Sequence, residues 1–144
     1  MVSAAATLAQ HRNLVRESRT HDEAFEFAVA KLSELLREER TNPRAAVRFL
    51  RVLRQIQKPE HVFPHITADE EGEIIALWSA SKMSLELAIP AEGDAYLRMT
   101  DHDGSEIVVG FFRWLPLLET SNFLSDLSDL VVQSNPRWRS LFAS

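Results

Sequence analysis

The chain has 144 residues, 45% hydrophobic and 26% charged, with a formal net charge of −5, a size and composition that suit one domain with one core and no covalent staples. Cysteine is absent, which excludes a disulfide framework, a thiolate zinc site and a cysteine nucleophile. No stretch reaches the roughly 20 apolar residues of a membrane span, and residues 1–8 lack the basic start and apolar core of a signal peptide, so the expectation is a soluble cytoplasmic protein with no membrane partner.

In chain order, Ala4 to Ser18 is helix-prone, with Leu8, Leu14 and Val15 on a thin apolar stripe. Thr20-His21-Asp22-Glu23 matches a capping box, in which the Thr hydroxyl accepts the backbone N–H at Glu23 and the Glu carboxylate reaches back. Phe25, Ala28, Val29, Leu32, Leu35 and Leu36 follow at three- and four-residue spacing and predict a helix to about Arg40. Asn42 as N-cap and Pro43 at the first helical position start the next helix. Its apolar face is Ala46, Phe49, Leu50, Leu53 and Ile56, and Pro59 ends it. Two or three N-terminal helices are therefore expected, as a helical layer over 1–58.

His61 to Thr67, with Pro64 inside it, reads as an extended connector before the acidic run Asp69-Glu70-Glu71. Four alternating strands are then expected within a sheet over 62–114: one ending at Trp78, Met83 to Ile89, Ala95 to Met99, and Ile107 to Trp114. The last is an almost unbroken apolar run and reads as a central strand or one covered on both faces. Gly72, Gly93 and Gly104 mark the turns between them. C-terminal helices over 120–143 complete the chain, with Ser121 or Asn122 as the cap, Phe123, Leu124, Leu127, Leu130 and Val131 at core spacing, and a restart at Asn135-Pro136. The expected fold is a single α+β domain, 1–144: N-terminal helices, a four-stranded antiparallel meander, and a C-terminal helix.

Charge is unevenly spread. Residues 1–60 carry a net +3 and residues 61–144 a net −8, so the basic helices and the acidic sheet should attract each other. Arg44, Arg48, Arg51, Arg54 and Lys58 fall within an arc of about 120° opposite the apolar face of their helix. No acidic residue occurs between Glu39 and Glu60. Such a row suits phosphate contacts, and these five residues are the candidate nucleic-acid face.

His61 and His65 are weak candidates for a metal, with Asp69 or with Asp101, His102 and Asp103, because imidazole and carboxylate suit zinc or iron. Pro59 and Pro64 disfavour the helix that would align two histidines four residues apart, and no metal or other cofactor is expected. No nucleophile elbow, phosphate-cradling glycine loop or His-Glu-x-x-His occurs. Glu71, Glu73, Glu86 and Glu106 offer carboxylates for acid–base work, but on an exposed sheet face such residues serve solubility. A non-enzymatic protein is expected. Among the aromatics, Phe111, Phe112, Trp114, Trp138 and Phe142 are the candidate partner-binding set, because strand alternation turns one of Phe111 and Phe112 away from the helices and Trp138 lies near the chain end.

Asn42-Pro43 with its helix, Pro64-His65-Ile66, Glu71-Gly72-Glu73-Ile74-Ile75-Ala76-Leu77-Trp78 and Leu85-Glu86-Leu87-Ala88-Ile89 together resemble a diffuse group of small bacterial and phage hypothetical proteins. The likeness spans Asn42 to Asp103, about half the chain. It departs from the group at the first helix, where the capping box at Thr20 replaces a Trp-rich start. The resemblance implies the helix-then-meander outline and, from members that look like partners of toxin-type or phage genes, an antitoxin or accessory role. The functional expectation is a self-associating, homodimeric or partner-binding module, with nucleic-acid binding through Arg44 to Lys58 as the alternative.

Overall fold

The computed structural model describes residues 23–142; the helix-prone segment Ala4 to Ser18 and the cap at Thr20 lie outside the described residues. Helix α1 (Glu23–Arg37) and helix α2 (Pro43–Ile56) precede five strands, β1 (His65–Ala68), β2 (Ile74–Ala80), β3 (Met83–Ile89), β4 (Ala95–Thr100) and β5 (Glu106–Phe112). Helix α3 (Leu117–Ser134) and a 3₁₀ turn (Trp138–Phe142) follow. The fold is α+β. All neighbouring strands are antiparallel, and the spatial order β1-β2-β3-β4-β5 repeats the chain order.

The start of α2 follows from its residues. Asn42 Oδ1 accepts the Ala45 N–H at 2.9 Å, and Pro43 occupies the first turn, where a missing N–H costs nothing. The preceding loop is tied to the sheet by two long-range bonds: Arg40 Nη2 donates to Ala68 O at 3.1 Å and Thr41 Oγ1 to Gly72 O at 2.6 Å. Gly72 holds φ +84°, a backbone conformation that side chains resist.

The sheet departs from expectation at both edges. Among the described residues it has five strands where four are expected, because His65–Ala68, whose first three residues are expected as connector, pairs with β2 through His65↔Leu77 and Thr67↔Ile75. Pro64 immediately precedes this strand, and with only four residues its alternation is too brief to stand out in the sequence. The run Ile107 to Trp114 is not central. It supplies β5, an edge strand, with Ile107, Val109 and Phe111 exposed.

Helix α3 also begins earlier than a Ser121 or Asn122 cap predicts. Pro116 opens it, Thr120 Oγ1 bonds back to Pro116 O at 2.8 Å, and Ser121 lies inside the helix. The helices cover one face of the sheet, where Ile74, Trp78, Leu85, Leu87, Ile89 and Leu97 meet Leu32, Phe49, Leu53, Ile56, Leu124 and Leu127. Each such side chain stabilises the fold by about 1.5–3 kcal/mol on burial.

A polar seam closes this layer. Ser121, Ser125 and Ser128 recur along one side of α3 and face the α2–β1 connector: Ser121 Oγ donates to Ile56 O at 2.9 Å, Val62 N donates to Ser128 Oγ at 2.9 Å, and Ser125 Oγ lies 2.7 Å from His61 Nε2. Trp78 Nε1 and Gln57 Nε2 both donate to Val62 O, at 3.1 and 3.0 Å. The connector thus finds partners for backbone groups that burial would otherwise strand. Among the described residues no helix is long and apolar enough to cross a membrane.

Candidate functional site

The arginine row divides. Arg44, Arg51, Arg54 and Lys58 are exposed, while Arg48 is half-buried and donates through Nη1 to Pro90 O at 3.1 Å. Arg54 places its guanidinium 5.6 Å over the Phe25 ring, toward α1. Arg44, Arg48 and Arg51 instead line a cleft of about 480 Å³ with Pro43, Val47 and Ala91. Arg44 also meets Glu92 at 3.6 Å, a pair with both side chains well over half exposed and hence weak.

Arg48 has a second role. It lines an adjoining cleft of about 230 Å³ with Val52, Gln55, Ile89, Ala95, Phe112, Arg113, Trp114, Leu115 and Leu117. The arginines of α2 and the aromatic end of β5, about sixty residues apart in the chain, therefore meet at one side chain. Trp114 is 81% exposed, and Arg113 lies 5.8 Å from its ring centroid.

The five candidate aromatics fall in three places. Phe112 and Trp114 belong to this cleft. Phe111, 71% exposed, stands on the open face of the sheet in edge contact with Tyr96 at 5.3 Å. Trp138 is only 2% exposed and Phe142 is half-buried, so neither offers an open binding surface. Phe27 and Phe63 supply the rings they pack on, with Phe63 4.9 Å from Trp138 and Phe27 5.3 Å from Phe142.

The open sheet face follows from the register. Ile75, Ala88, Tyr96 and Phe111 form one row across β2 to β5, and Leu77, Glu86, Arg98 and Val109 form the next. The three helices of the described residues pack on the opposite face. The two edges differ: β1 has four residues and its Ala68 carbonyl is taken by Arg40, whereas β5 has seven, with neither lysine nor proline. No hydrogen bond from the described residues reaches the outer edge of β5.

The weaker candidates come apart. Lys58 N donates to His61 Nδ1 at 3.1 Å, which leaves Nε2 as the N–H facing Ser125 and no lone pair for a metal. His65 is exposed on β1, so the two histidines do not form a ligand pair. Burial lowers the His61 pKa, Glu60 opposes that shift, Lys58 adds to it, and a backbone hydrogen bond at Ile56 and the charge of Asp129 oppose it. Glu86 and Glu106 both adjoin Arg98, one as its cross-strand partner and one at 3.3 Å, instead of forming an acid–base couple. The carboxylates of Asp69, Glu71 and Glu73 lie within 4.8 Å of one another, but Asp69 Oδ1 accepts the Glu71 and Glu73 N–H groups at 2.9 Å and so serves the β1–β2 turn. A separate hydrogen bond between the Glu73 and Asp69 carboxyl groups, which needs a proton on one of them, is the first cause of the raised Glu73 pKa, with burial second.

Arg113, Ser125 and Ser128 escape the sequence reading and Ser121 enters it only as a cap, although the spacing of Ser121, Ser125 and Ser128 along one helix side was a usable signal. No protein-family model matches the chain, and comparison with curated proteins and with solved structures finds no match.

Proposed function

We propose that the chain is a non-enzymatic interaction module, of bacterial or phage accessory or antitoxin type, that self-associates as a homodimer through β5 and the open sheet face beside it. The observation that carries this reading is an unshielded edge strand whose outward residues are apolar, with Phe111 71% and Val109 52% exposed. Unpaired N–H and C=O groups along such an edge bond to another strand, and from Ile107 to Phe112 the strand carries no charge to oppose it. A two-fold axis normal to the sheet through Val109 keeps the open faces of both copies on one side and sets Phe111 beside Ile107 of the partner subunit. The outward apolar side chains of the two β5 strands then pack beside one another across the axis.

Sedimentation velocity at micromolar concentration tests this. The expected result is a dimer for the native chain and a folded monomer for Val109→Lys, because a lysine there places two like charges across the axis. A native chain that stays monomeric overturns the reading.

A further inference from the structure

We propose that the two clefts joined at Arg48 form one groove for single-stranded nucleic acid, with phosphates on Arg44, Arg48 and Arg51 and a base stacked on Trp114. The groove lining is cationic: α2 contributes three guanidinium groups, Arg113 a fourth from beyond β5, and neither cleft is lined by an acidic residue, the nearest carboxylate to the row being Glu92, in an exposed pair with Arg44 that a phosphate would displace. This occurs in a chain whose net charge is −5, so the positive field is a local feature and not a property of the whole surface. Successive arginines on α2 are separated by about 6 and 4.5 Å along the helix axis, a row that follows a strand rather than a point. The N-terminal end of α2, at the Arg44 end of the row, adds its positive dipole.

Trp114 decides which nucleic acid. Its indole is 81% exposed beside Arg113, and aromatic rings bordering a cationic groove are where unpaired bases stack. A duplex keeps its bases stacked within itself and leaves Trp114 unused. An acidic peptide satisfies the arginines but likewise leaves the indole without a partner. The residues differ from those proposed for self-association, so the two ideas fail separately.

Anisotropy of a fluorescein-labelled twelve-nucleotide oligo(dT), titrated with protein from low to moderate salt, tests the groove. Three phosphate contacts predict a log–log salt slope of about −2, and the double variant Arg44→Gln/Arg51→Gln, both exposed positions, should bring it to about −0.7. Trp114→Ala should weaken binding roughly 5- to 150-fold with the salt slope unchanged. Trp78 and Trp138 are buried, so quenching of intrinsic fluorescence on binding reports Trp114. Val109→Lys should bind the oligonucleotide as the native chain does. The proposal is overturned if no binding occurs at low salt, if the arginine double variant binds unchanged, or if Trp114 is neither quenched nor required. Displacement by inorganic phosphate at equal phosphate concentration would instead mark a simple anion pocket. Equal competition by poly-glutamate would mark an acidic protein partner, and equal binding of a duplex would remove the stacking role; each of these also overturns the strand proposal.

Discussion

His61 concentrates several consequences in one side chain. It is fully buried, its Nδ1 accepts the Lys58 N–H, and its Nε2–H meets Ser125. A proton on Nδ1 would oppose the Lys58 donor. Burial lowers its pKa in the folded chain, while in the unfolded chain it returns to about 6.5. The unfolded state then binds more protons, so the contribution of His61 to stability is complete above about pH 6.5 and declines as pH falls from there toward the folded pKa. Thermal unfolding from pH 7.5 to 5.5 should show a falling Tm, with a shallower fall in His61→Asn, whose Oδ1 can still accept from Lys58 but does not titrate. Histidine identity alone suggested a metal ligand. Its true partners, a backbone N–H and a serine sixty-four residues away, are set by the packing of α3 and cannot be read from local spacing.

At the level of elements, the cap at Asn42, the spans of β3 and β4 and the apolar faces of α1 and α2 were legible because each is written in local periodicity and turn chemistry, while β2 runs to Ala80, two residues past the expected end at Trp78. The two sheet edges were not legible. Strand β1 is too short to display a period, and an apolar run such as Ile107 to Trp114 is the same string whether its outer face meets a helix or solvent. Order in the sheet decides that. Helix α3 shows how polar residues can define a packed face: Ser128→Ala leaves the buried Val62 N–H without an acceptor and should cost about 1–3 kcal/mol, measurable by urea unfolding with an unchanged m-value. At the β1–β2 turn, Gly72→Ala forces a Cβ onto a φ of +84° and should destabilise by about 1–2 kcal/mol.

For the whole molecule, the contrast between a basic first half and an acidic remainder suggested electrostatic docking of helices on sheet. The ion pairs among the described residues do not support that picture. Lys31–Glu34, Arg44–Glu92, Arg98–Glu106 and Arg139–Glu23 all have side chains at least 44% exposed, whereas the helix–sheet interface is apolar with a serine seam. Raising salt from 0.05 to about 0.5 M should accordingly move Tm by no more than about 3 °C, since exposed pairs contribute little and are screened. The arginine row of the candidate groove was legible from helical spacing; its meeting with Trp114 was not, because a contact across sixty residues depends on where the sheet ends. The identity of strand order and chain order also bears on kinetics. Every strand pairing closes a hairpin between consecutive strands, while α3 must return to a connector more than sixty residues upstream. Local pairings form early and the distant closure late. In stopped-flow chevrons, Ser128→Ala should therefore raise the unfolding rate, with the slope of that limb unchanged, while leaving the refolding rate nearly unchanged.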